Sequence, residues 1–376
     1  MSKRKFVRRT ASSVFILWLA MAGVSPASDT FTSLASFDKT NGNEPNHTAL
    51  IQATDGNLYG VTSYGGVNGS GAVFRISPSG TLDAIYSFCA QGGTCPDGQG
   101  PYAGLTMDAS GKLYGTTSAG GADGWGTVFE LTPNATKTKW TERVLHSFCA
   151  QGIFSGCPDG QTPYAGLIID KLGRLYGTTY QGGAHSQGTV FELTPNAAKT
   201  TWTETVLYSF CSQGGESCTD GANPNAALIM GARGKLYGTT YQGGASGQCT
   251  AFELTATNAA KTEWTETALY SFCAQENCDD GAYPGAALII DAAGDLYGTT
   301  SGGGTGFAGT VFALTPDAKT SWKETVLYSF CAQGAYPNCT DGYSPQAALL
   351  MDAWGQLYGT TYQGGANNGG TVFELP

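Results

Sequence analysis

The sequence predicts an all-β chain folded as a six-bladed β-propeller, with four antiparallel strands in each blade. The first observation behind this prediction is that the tripeptide Leu-Tyr-Gly recurs at intervals of 55, 62, 61, 60 and 61 residues. The tyrosines of its six copies are Tyr59, Tyr114, Tyr176, Tyr237, Tyr297 and Tyr358. A regular period of this length is typical of repeat architectures. The second observation is composition, because 55 glycines among 376 residues and only 13% charged residues disfavour helical and coiled-coil classes.

Each repeat contains four short apolar or β-branched runs, which we interpret as strands. They are clearest in the fifth repeat, at Ala286–Asp291, Asp295–Thr300, Thr310–Leu314 and Trp322–Phe330. The segments between them are rich in glycine, proline and Asx residues, which supply turn geometry. A unit of about 60 residues with four antiparallel strands matches one propeller blade. The glycine of each Leu-Tyr-Gly weakens its strand unless another group approaches closely, and we expect that group to come from the neighbouring blade.

The two ends of the chain are predicted to meet in one blade. The sixth repeat finishes with Thr371–Leu375, which corresponds to the third strand of the other repeats. The segment Phe31–Phe37 aligns with the fourth-strand segment Val206–Phe210, so we expect it to complete the last blade as its outer strand. Closure of this kind removes exposed strand edges. The prediction is therefore a single propeller of six repeats over residues 28–376, with an open stack as the alternative.

Residues 1–27 are predicted to be a cleaved signal peptide. Five cations precede the apolar run Val14–Val24, and small residues follow from Ser25 to Ala27. The run has 11 residues, short of the ~20 that span a bilayer, so a retained membrane anchor is the less favoured interpretation. Removing the five cations takes the net charge from −10 to −15, which disfavours binding to nucleic acid or to an anionic membrane surface. We expect a secreted or periplasmic monomer whose mature chain does not insert into the membrane.

Three recurring strings resemble those of a known repeat family. They are Leu-Tyr-Gly-Thr-Thr, Gly-Gly and Gly-Thr-Val-Phe-Glu-Leu-Thr-Pro, which occur together at residues 175–195. These strings are similar to the GloVer (Gloeo/Verruco) tandem repeat of exported bacterial proteins. The resemblance covers all six repeats and implies an extracellular or surface-associated protein. It implies no general catalytic activity, and it transfers no catalytic residue to this chain.

Ten of the 11 cysteines form five local pairs, each between a fourth strand and the next first strand. The pairs are Cys89 with Cys95, Cys149 with Cys157, Cys211 with Cys218, Cys273 with Cys278, and Cys331 with Cys339. An exported chain meets an oxidising compartment, which favours a disulfide within each loop. Zinc is disfavoured because the separations vary from 5 to 8 and no second Cys-x-x-Cys or histidine partner accompanies the pairs. Cys249 stands where Gly188 and Gly309 stand in sister repeats, and we expect it to be a free thiol.

The same loops carry a repeated Asp-Gly pair. Its aspartates are Asp97, Asp159, Asp220, Asp280 and Asp341. One carboxylate per loop is few for calcium, which takes roughly 6–8 oxygen ligands. We therefore interpret the pairs as turns and expect neither a metal nor a cofactor.

In a propeller, the loops that join the fourth strand to the next first strand open on the same face as the loops that join the second strand to the third. In three repeats the second kind of loop presents an aromatic ring followed by an amide. These residues are Tyr180 with Gln181, Tyr241 with Gln242, and Tyr362 with Gln363. Such a pair can stack on a sugar and hydrogen-bond to its hydroxyls, so these six residues are the candidate ligand-binding site. The alternative is that the tyrosines fill space and the glutamines are solvated, since Ser118 and Ser301 take the tyrosine position in other repeats.

The sequence contains no nucleophile elbow, metalloprotease helix or phosphate-binding loop. His47, at the start of the first inner strand, is the one histidine placed for general-base work beside the channel. We predict a noncatalytic exported module that binds a polysaccharide or a surface protein through the loops described above, and we assign no catalytic residue. The alternatives are a carbohydrate-active hydrolase or lyase with its site at the channel mouth, and a purely structural repeat protein.

Overall fold

The computed structural model describes residues 33–45, 49–150, 156–214, 217–318, 321–334 and 338–376. Over these residues it contains 24 β-strands, two short 3-10 turns and no α-helix. The strands form six antiparallel sheets, which are the blades of a β-propeller, as the six Leu-Tyr-Gly copies predicted. None of the described residues belongs to a helix with the length and apolarity needed to cross a membrane.

The first three blades are four-stranded sheets in which consecutive strands are neighbours. Blade one contains β1 (Ile51–Gln52), β2 (Leu58–Thr62), β3 (Ala72–Ile76) and β4 (Leu82–Ser87). Blade two contains β5 (Thr106–Met107), β6 (Leu113–Thr117), β7 (Thr127–Pro133) and β8 (Trp140–Ser147). Blade three contains β9 (Ile168–Ile169), β10 (Leu175–Thr179), β11 (Thr189–Pro195) and β12 (Trp202–Ser209).

The last three blades differ from one another in strand number. Blade four contains β13 (Ala222–Pro224), β14 (Ile229–Met230), β15 (Leu236–Gln242), β16 (Thr250–Ala256) and β17 (Trp264–Ser271). Blade five contains β18 (Ile289–Ile290), β19 (Leu296–Thr300), β20 (Thr310–Ala318) and β21 (Ser321–Ser329). Blade six contains β22 (Leu350–Met351), β23 (Leu357–Thr360) and β24 (Val372–Leu375). The two 3-10 turns are Ala232–Gly234 and Glu276–Cys278.

The glycine of each second strand is required by a ring of its own blade. In blade three, Gly177 lies opposite Phe191 in the antiparallel register. A Cβ atom on Gly177 would lie 2.6 Å from Phe191 Cζ and 2.8 Å from Leu167 Cδ2. The close approach itself was predicted. The predicted source, the neighbouring blade, was wrong, because the approaching side chains belong to the same blade. The ring of Phe191 fills the space above the glycine, and this places it for contact with the preceding blade.

Successive blades are joined by a repeated pair of phenylalanine rings. The last residue of the fourth-strand segment of one blade packs edge-on against the third strand of the next. The ring centroids lie 4.8–5.1 Å apart in the pairs Phe88–Phe129, Phe148–Phe191, Phe210–Phe252, Phe272–Phe312 and Phe330–Phe373. The tryptophan that opens a fourth strand packs against the Leu-Tyr-Gly tyrosine of the preceding blade, as for Tyr59 and Trp140 at 5.7 Å. Edge-to-face geometry of this kind stabilises aromatic pairs beyond the area that they bury.

The predicted closing strand is described only in part. Residues 31 and 32 of the segment Phe31–Phe37 lie outside the described residues, as does the predicted signal peptide, and Ser33–Phe37 is not assigned as a strand. Phe37 nevertheless packs against Phe74 of blade one at 5.0 Å, as the equivalent phenylalanines do at the other junctions. Val372 of β24 is 82% exposed, whereas the equivalent Val311 in blade five is fully buried. The pairing of a fourth strand with β24 therefore stays a prediction.

Candidate functional site

Two kinds of loop lie at one end of every blade, and we call this end the loop face. The cysteine loops join the fourth strand to the next first strand, and the Gly-Gly loops join the second strand to the third. Short backbone bridges connect the two, as where Gln161 N donates to Gln181 O at 2.8 Å. Equivalent bridges join Asn43 to Tyr64, Gln99 to Ala119, Ala282 to Gly302, and Tyr343 to Gln363. The side chains of both loops are therefore held at fixed positions relative to the sheet.

The Gly-Gly sequence is needed because these loops pass very close to the cysteine loops. Gly182 has a φ of +78°, and a Cβ atom there would lie 2.6 Å from Gly160 Cα and 2.8 Å from Cys157 O. The next residue, Gly183, donates its N–H to the same Cys157 carbonyl at 2.9 Å. Only glycine combines this backbone conformation with so close a contact. The Gly-Gly loops of blades two to six are thereby fixed against cysteine loops, and that of blade one lies against the segment of Lys39 and Asn43 instead.

The five predicted disulfides are confirmed. They join Cys89 to Cys95, Cys149 to Cys157, Cys211 to Cys218, Cys273 to Cys278, and Cys331 to Cys339. Each one closes a short loop at the loop face. Short rings restrict local freedom and contribute modestly to global stability, about 2–3 kcal/mol each in a chain-entropy account.

The Asp-Gly aspartates do more than form turns, because their carboxylates accept hydrogen bonds that hold the cysteine loops. Asp97 is 2% exposed, and its Oδ2 accepts hydrogen bonds from Tyr86 Oη at 2.7 Å and from Ala90 N at 2.9 Å. The tyrosine contact recurs at 2.7 Å in the pairs Tyr208–Asp220, Tyr270–Asp280 and Tyr328–Asp341. In blade two a histidine of β8 takes the tyrosine's place, with His146 Nε2 at 3.2 Å from Asp159 Oδ2.

A partly or fully buried glutamate accompanies four of these aspartates. Burial, and then the charge of the neighbouring aspartate, raises the pKa of Glu142 and Glu324 to about 7 and that of Glu204 and Glu266 to about 8. The Oε1 atom of each glutamate has no hydrogen-bond partner among the described residues. No group of three or more His, Cys, Asp or Glu side chains arranged for a metal ion occurs in the described part of the chain. These are pairs of carboxylates beneath the loops, with one proton available to each pair.

Six tyrosines lie on the loop face of blades one to five, and we call this set the tyrosine arc. The arc consists of Tyr64, Tyr102, Tyr164, Tyr180, Tyr241 and Tyr283. Tyr64 Oη and Tyr102 Oη are hydrogen-bonded at 3.1 Å. The ring centroids lie 5.5 Å apart for Tyr102 and Tyr164, 5.5 Å for Tyr164 and Tyr180, and 5.3 Å for Tyr241 and Tyr283. All six rings are half-buried or exposed, so the arc presents aromatic surface and hydroxyl groups to solvent.

Two phenols of the arc, those of Tyr102 and Tyr180, have a raised pKa. The hydrogen bond with Tyr64, together with burial, raises the pKa of Tyr102 to about 12. Burial raises the pKa of Tyr180, and the neighbouring Tyr241 and Tyr164 raise it further. Tyr180 and Tyr241 lie in adjacent blades, at the facing ends of two groups of contacting tyrosines, Tyr64 to Tyr180 and Tyr241 with Tyr283. The site offers rings and neutral hydroxyls that both donate and accept hydrogen bonds.

The structure places the six predicted ligand-binding residues in different settings. Tyr180 and Tyr241 belong to the tyrosine arc. Gln181 accepts a hydrogen bond from Gln161 Nε2 at 2.9 Å, and Gln242 is exposed at the end of β15. In blade six, Tyr362 is 64% exposed and lies outside the arc, and Gln363 is bridged through its backbone to Tyr343.

Sequence reasoning missed four members of the arc, Tyr64, Tyr102, Tyr164 and Tyr283. A signal for two of them was present, because Tyr102 and Tyr164 directly follow the proline after an Asp-Gly pair. That segment is bridged to the end of the second strand, so a tyrosine in it lies beside the predicted Tyr-Gln position. The other two missed residues, Tyr64 and Tyr283, contact tyrosines of a different blade, so their places in the arc depend on how one blade packs against another.

Of two further residues identified from the sequence, Cys249 lies within the described residues and His47 does not. Cys249 is a free and buried cysteine, as expected, and its Sγ accepts a hydrogen bond from Tyr283 N at 3.2 Å. Burial raises the pKa of its thiol to about 12, so it is not a reactive thiolate. His47, the candidate general base of the enzymatic alternative, lies outside the described residues.

Comparison with known proteins identifies the repeat. A family model described as the Gloeobacter/Verrucomicrobia repeat matches residues 21–219 and 153–340. No curated protein matches the sequence. One similar solved structure is a putative oxidoreductase (glucose dehydrogenase) from Thermus thermophilus, with 14% identity and a TM-score of 0.44, over 90% of this chain and 98% of that one.

Two other similar structures come from proteins that act on polysaccharides. An α-L-arabinanase from Penicillium chrysogenum has 13% identity and a TM-score of 0.47, over 87% of this chain and 91% of that one. An ulvan lyase has 11% identity and a TM-score of 0.47, over 85% of this chain and 81% of that one. At these identities the likeness concerns the fold alone.

Proposed function

We propose that this chain, which belongs to the Gloeobacter/Verrucomicrobia repeat family, is an exported binding module that holds an oligosaccharide against its tyrosine arc. The observation that carries the proposal is the series of contacts that joins Tyr64 to Tyr180, with Tyr241 and Tyr283 paired in the next two blades. Isolated surface tyrosines are common in soluble proteins, but four of them in contact across blades one to three, followed by a contacting pair in blades four and five, form an extended aromatic surface. Sugars present apolar C–H faces and a ring of hydroxyls, which match aromatic rings bordered by phenol and amide groups.

The arc is not needed to build the fold. Its positions are filled by other residues in sister blades, such as Asn225 in blade four where blades two and three carry Tyr102 and Tyr164. The core contacts between blades are made by the buried phenylalanines instead. Tyrosines that are dispensable for packing and gathered on one face support a binding role.

The same features favour a sugar over a protein partner. The rings of the arc are edge-packed and only partly exposed, so they offer a narrow strip rather than the broad apolar patch of a stable protein interface. Hydroxyl and amide groups accompany the rings along the strip. A polysaccharide chain fits a surface of this shape and chemistry better than a globular surface protein does.

The alternative function is cleavage of a polysaccharide at the channel mouth by a hydrolase or lyase reaction, which needs an accessible acid–base pair. The carboxylate pairs typified by Asp97 and Glu142 lie beneath the cysteine loops, and the aspartate is almost fully buried. They are therefore out of reach of a glycosidic bond on the loop face. This arrangement supports binding without turnover as the primary function.

Export is part of the proposal. Five disulfides within one chain are typical of proteins that mature in an oxidising compartment, and residues 1–27 have the order of features of a signal peptide. We therefore place the mature chain, 28–376, in the periplasm or outside the cell. Expression of the full chain in a bacterium, followed by N-terminal sequencing of the periplasmic and secreted fractions, tests this placement, and a retained Met1 would contradict it.

A thermal-shift screen tests the binding function. The disulfide-bonded mature protein is heated with oligosaccharides of defined length, and the released reducing ends and unsaturated products are measured in the same wells. A ligand present at 100 times its dissociation constant adds ~2.7 kcal/mol to the free energy of unfolding, which raises the midpoint measurably. A shift without products supports the binding module, products support the enzyme, and no shift with any oligosaccharide would contradict the proposal.

A further inference from the structure

The loop face is almost free of positive charge. Apart from the segment that precedes blade one, the described residues of its loops contain neither lysine nor arginine. They are residues 62–72, 88–105, 117–127, 148–150, 156–167, 179–189, 210–214, 217–228, 240–250, 272–288, 300–310, 330–334, 338–349 and 360–371. On the described part of this face, Lys39 of blade one is the single lysine or arginine. It lines a shallow depression with Asn43 and Val67, beyond the Tyr64 end of the arc.

The cations of the chain lie elsewhere. Many are in the turns at the opposite end of the blades, including Lys112, Lys137, Arg174, Lys199, Lys235 and Lys261. Four of these six pair with acids, as Lys112 does with Glu130 at 3.0 Å and Lys235 with Glu253 at 2.7 Å. The loop face instead carries the exposed acids Asp123 and Glu276. The two ends of the propeller therefore differ in charge.

This distribution restricts what the tyrosine arc can hold. A uronate or sulfate group loses water on binding and needs a cationic partner, for which arginine and lysine are the usual side chains. Neighbouring carboxylates add repulsion, since like charges across an interface cost several kcal/mol. Uncharged hydroxyls need only donors and acceptors, which Tyr64, Tyr102 and Gln161 supply along the arc.

We infer that the oligosaccharide bound by the tyrosine arc is uncharged, and that glycans bearing uronate or sulfate groups are rejected. This inference rests on the proposed function, because it specifies the ligand class of the same site. The rejection results from the charge of the whole loop face rather than from one residue. It follows that adding one cation beside the arc relaxes the selectivity.

The test is an array that carries uncharged β-glucan, xylan and mannan oligosaccharides beside oligogalacturonate and sulfated galactan oligosaccharides. Oligogalacturonate and its full methyl ester form a matched pair with the same sugar backbone, in which each carboxylate is replaced by an uncharged ester. At low ionic strength we expect binding to at least one uncharged class, with every anionic probe at least tenfold weaker. Where the methyl ester binds, we expect its free acid to be weaker by the same margin.

A charge variant supplies the control. Gln242→Lys places a cation beside Tyr241 of the arc, whereas Ala292→Lys adds the same charge in the exposed turn before β19, at the opposite end of blade five. We expect Gln242→Lys to raise binding of the anionic probes several-fold in a salt-sensitive manner, and Ala292→Lys to leave it unchanged. Equal gains from both variants would contradict a local selection by the loop face.

The outcomes separate this inference from the function on which it rests. An anionic probe bound as tightly as the best uncharged one overturns the inference and leaves carbohydrate binding standing. No binding to any probe, charged or uncharged, overturns the proposed function itself. Binding confined to uncharged probes supports both.

Discussion

Single residues show where a local pattern is enough to predict a role and where it is not. Cys249 was identified from its place in the repeat, because its sisters are glycines and no second unpaired cysteine exists. Tyr180 and Tyr241 were identified from the Tyr-Gln motif. Tyr64 and Tyr283 were not, because their partners, Tyr102 and Tyr241, are about 40 residues away in sequence and lie in another blade. Contacts of that kind depend on how blades pack, which no local period encodes.

The first prediction concerns the buried thiol of Cys249. Because burial raises its pKa to about 12, the native protein should contain no thiol that reacts with a colorimetric disulfide reagent at pH 8. After unfolding in guanidinium without reductant, one thiol per chain should react. Rapid reaction of one thiol in the native protein would show that Cys249 is accessible.

The second prediction concerns the glycine under the phenylalanine ring. Gly177→Ala should destabilise the protein by about 1–3 kcal/mol, because the new methyl group would lie 2.6 Å from Phe191 Cζ in a packed core. Gly285→Ala is the matched control, since nothing lies within 4 Å of its position and its φ is not in the left-handed region. Urea unfolding of both variants measures the difference. Equal stabilities would mean that the ring does not rest on the glycine.

At the scale of the element, three kinds of interaction hold the cysteine loop in place. A disulfide closes it, an Asp-Gly aspartate accepts hydrogen bonds from its backbone and from a strand tyrosine, and a Gly-Gly loop lies against it. Sequence reasoning predicted the disulfide from spacing and compartment. It missed the buried aspartate and its partner glutamate, because Asp97 and Glu142 are 45 residues apart and nothing in either local pattern marks a charged group as buried.

The third prediction follows from those carboxylate pairs. Four glutamates have a pKa of about 7–8 in the folded protein, against an ordinary value of 4.5. Between pH 4.5 and 8 the folded state holds protons that the unfolded chain releases, so the free energy of unfolding should fall as the pH rises. The unfolding midpoint should be roughly 5 °C or more higher at pH 5 than at pH 8.

Replacing all four glutamates by glutamine is the control for this prediction. The amide carries no charge at any pH, so the midpoint of Glu142→Gln, Glu204→Gln, Glu266→Gln and Glu324→Gln combined should change little over the same range. The aspartates with a lowered pKa, such as Asp108 and Asp170, destabilise the fold only on further acidification, near and below 3.8. A midpoint of the unmodified protein that rises from pH 5 to pH 8 would contradict the account.

At the scale of the whole molecule, the sequence was sufficient for the number of blades and the order of strands. Six tyrosines at a near-constant spacing define six sheets, and the turn residues between apolar runs define a meander in each. The closing strand was predicted from the same alignment, but its pairing with β24 is not among the described contacts. The segment is short, and its pairing depends on the far end of the chain, so local sequence constrains it least.

The fourth prediction tests that closure. In blade five, Val311 of the third strand lies opposite Tyr328 of the fourth. The equivalent positions in blade six are Val372 and Ala35, so the double variant Ala35→Cys with Val372→Cys should form a sixth disulfide, detected by peptide mapping. Ala35→Cys with Leu350→Cys, which places the second thiol on the inner strand β22 of the same blade, should not. Absence of the cross-linked peptide from the first double variant would favour an open stack.

The tyrosine arc is the feature on which the functional account depends, and calorimetric titration of its variants tests it most directly. The titrant is the uncharged oligosaccharide that gives the largest thermal shift, and the variants are Tyr102→Ala, Tyr164→Ala and the control Tyr362→Ala, each shown to unfold at the wild-type midpoint within a few degrees. The account predicts that each arc variant binds about tenfold more weakly, a loss of ~1.4 kcal/mol, while Tyr362→Ala retains wild-type affinity. Unchanged affinity in both arc variants would contradict it.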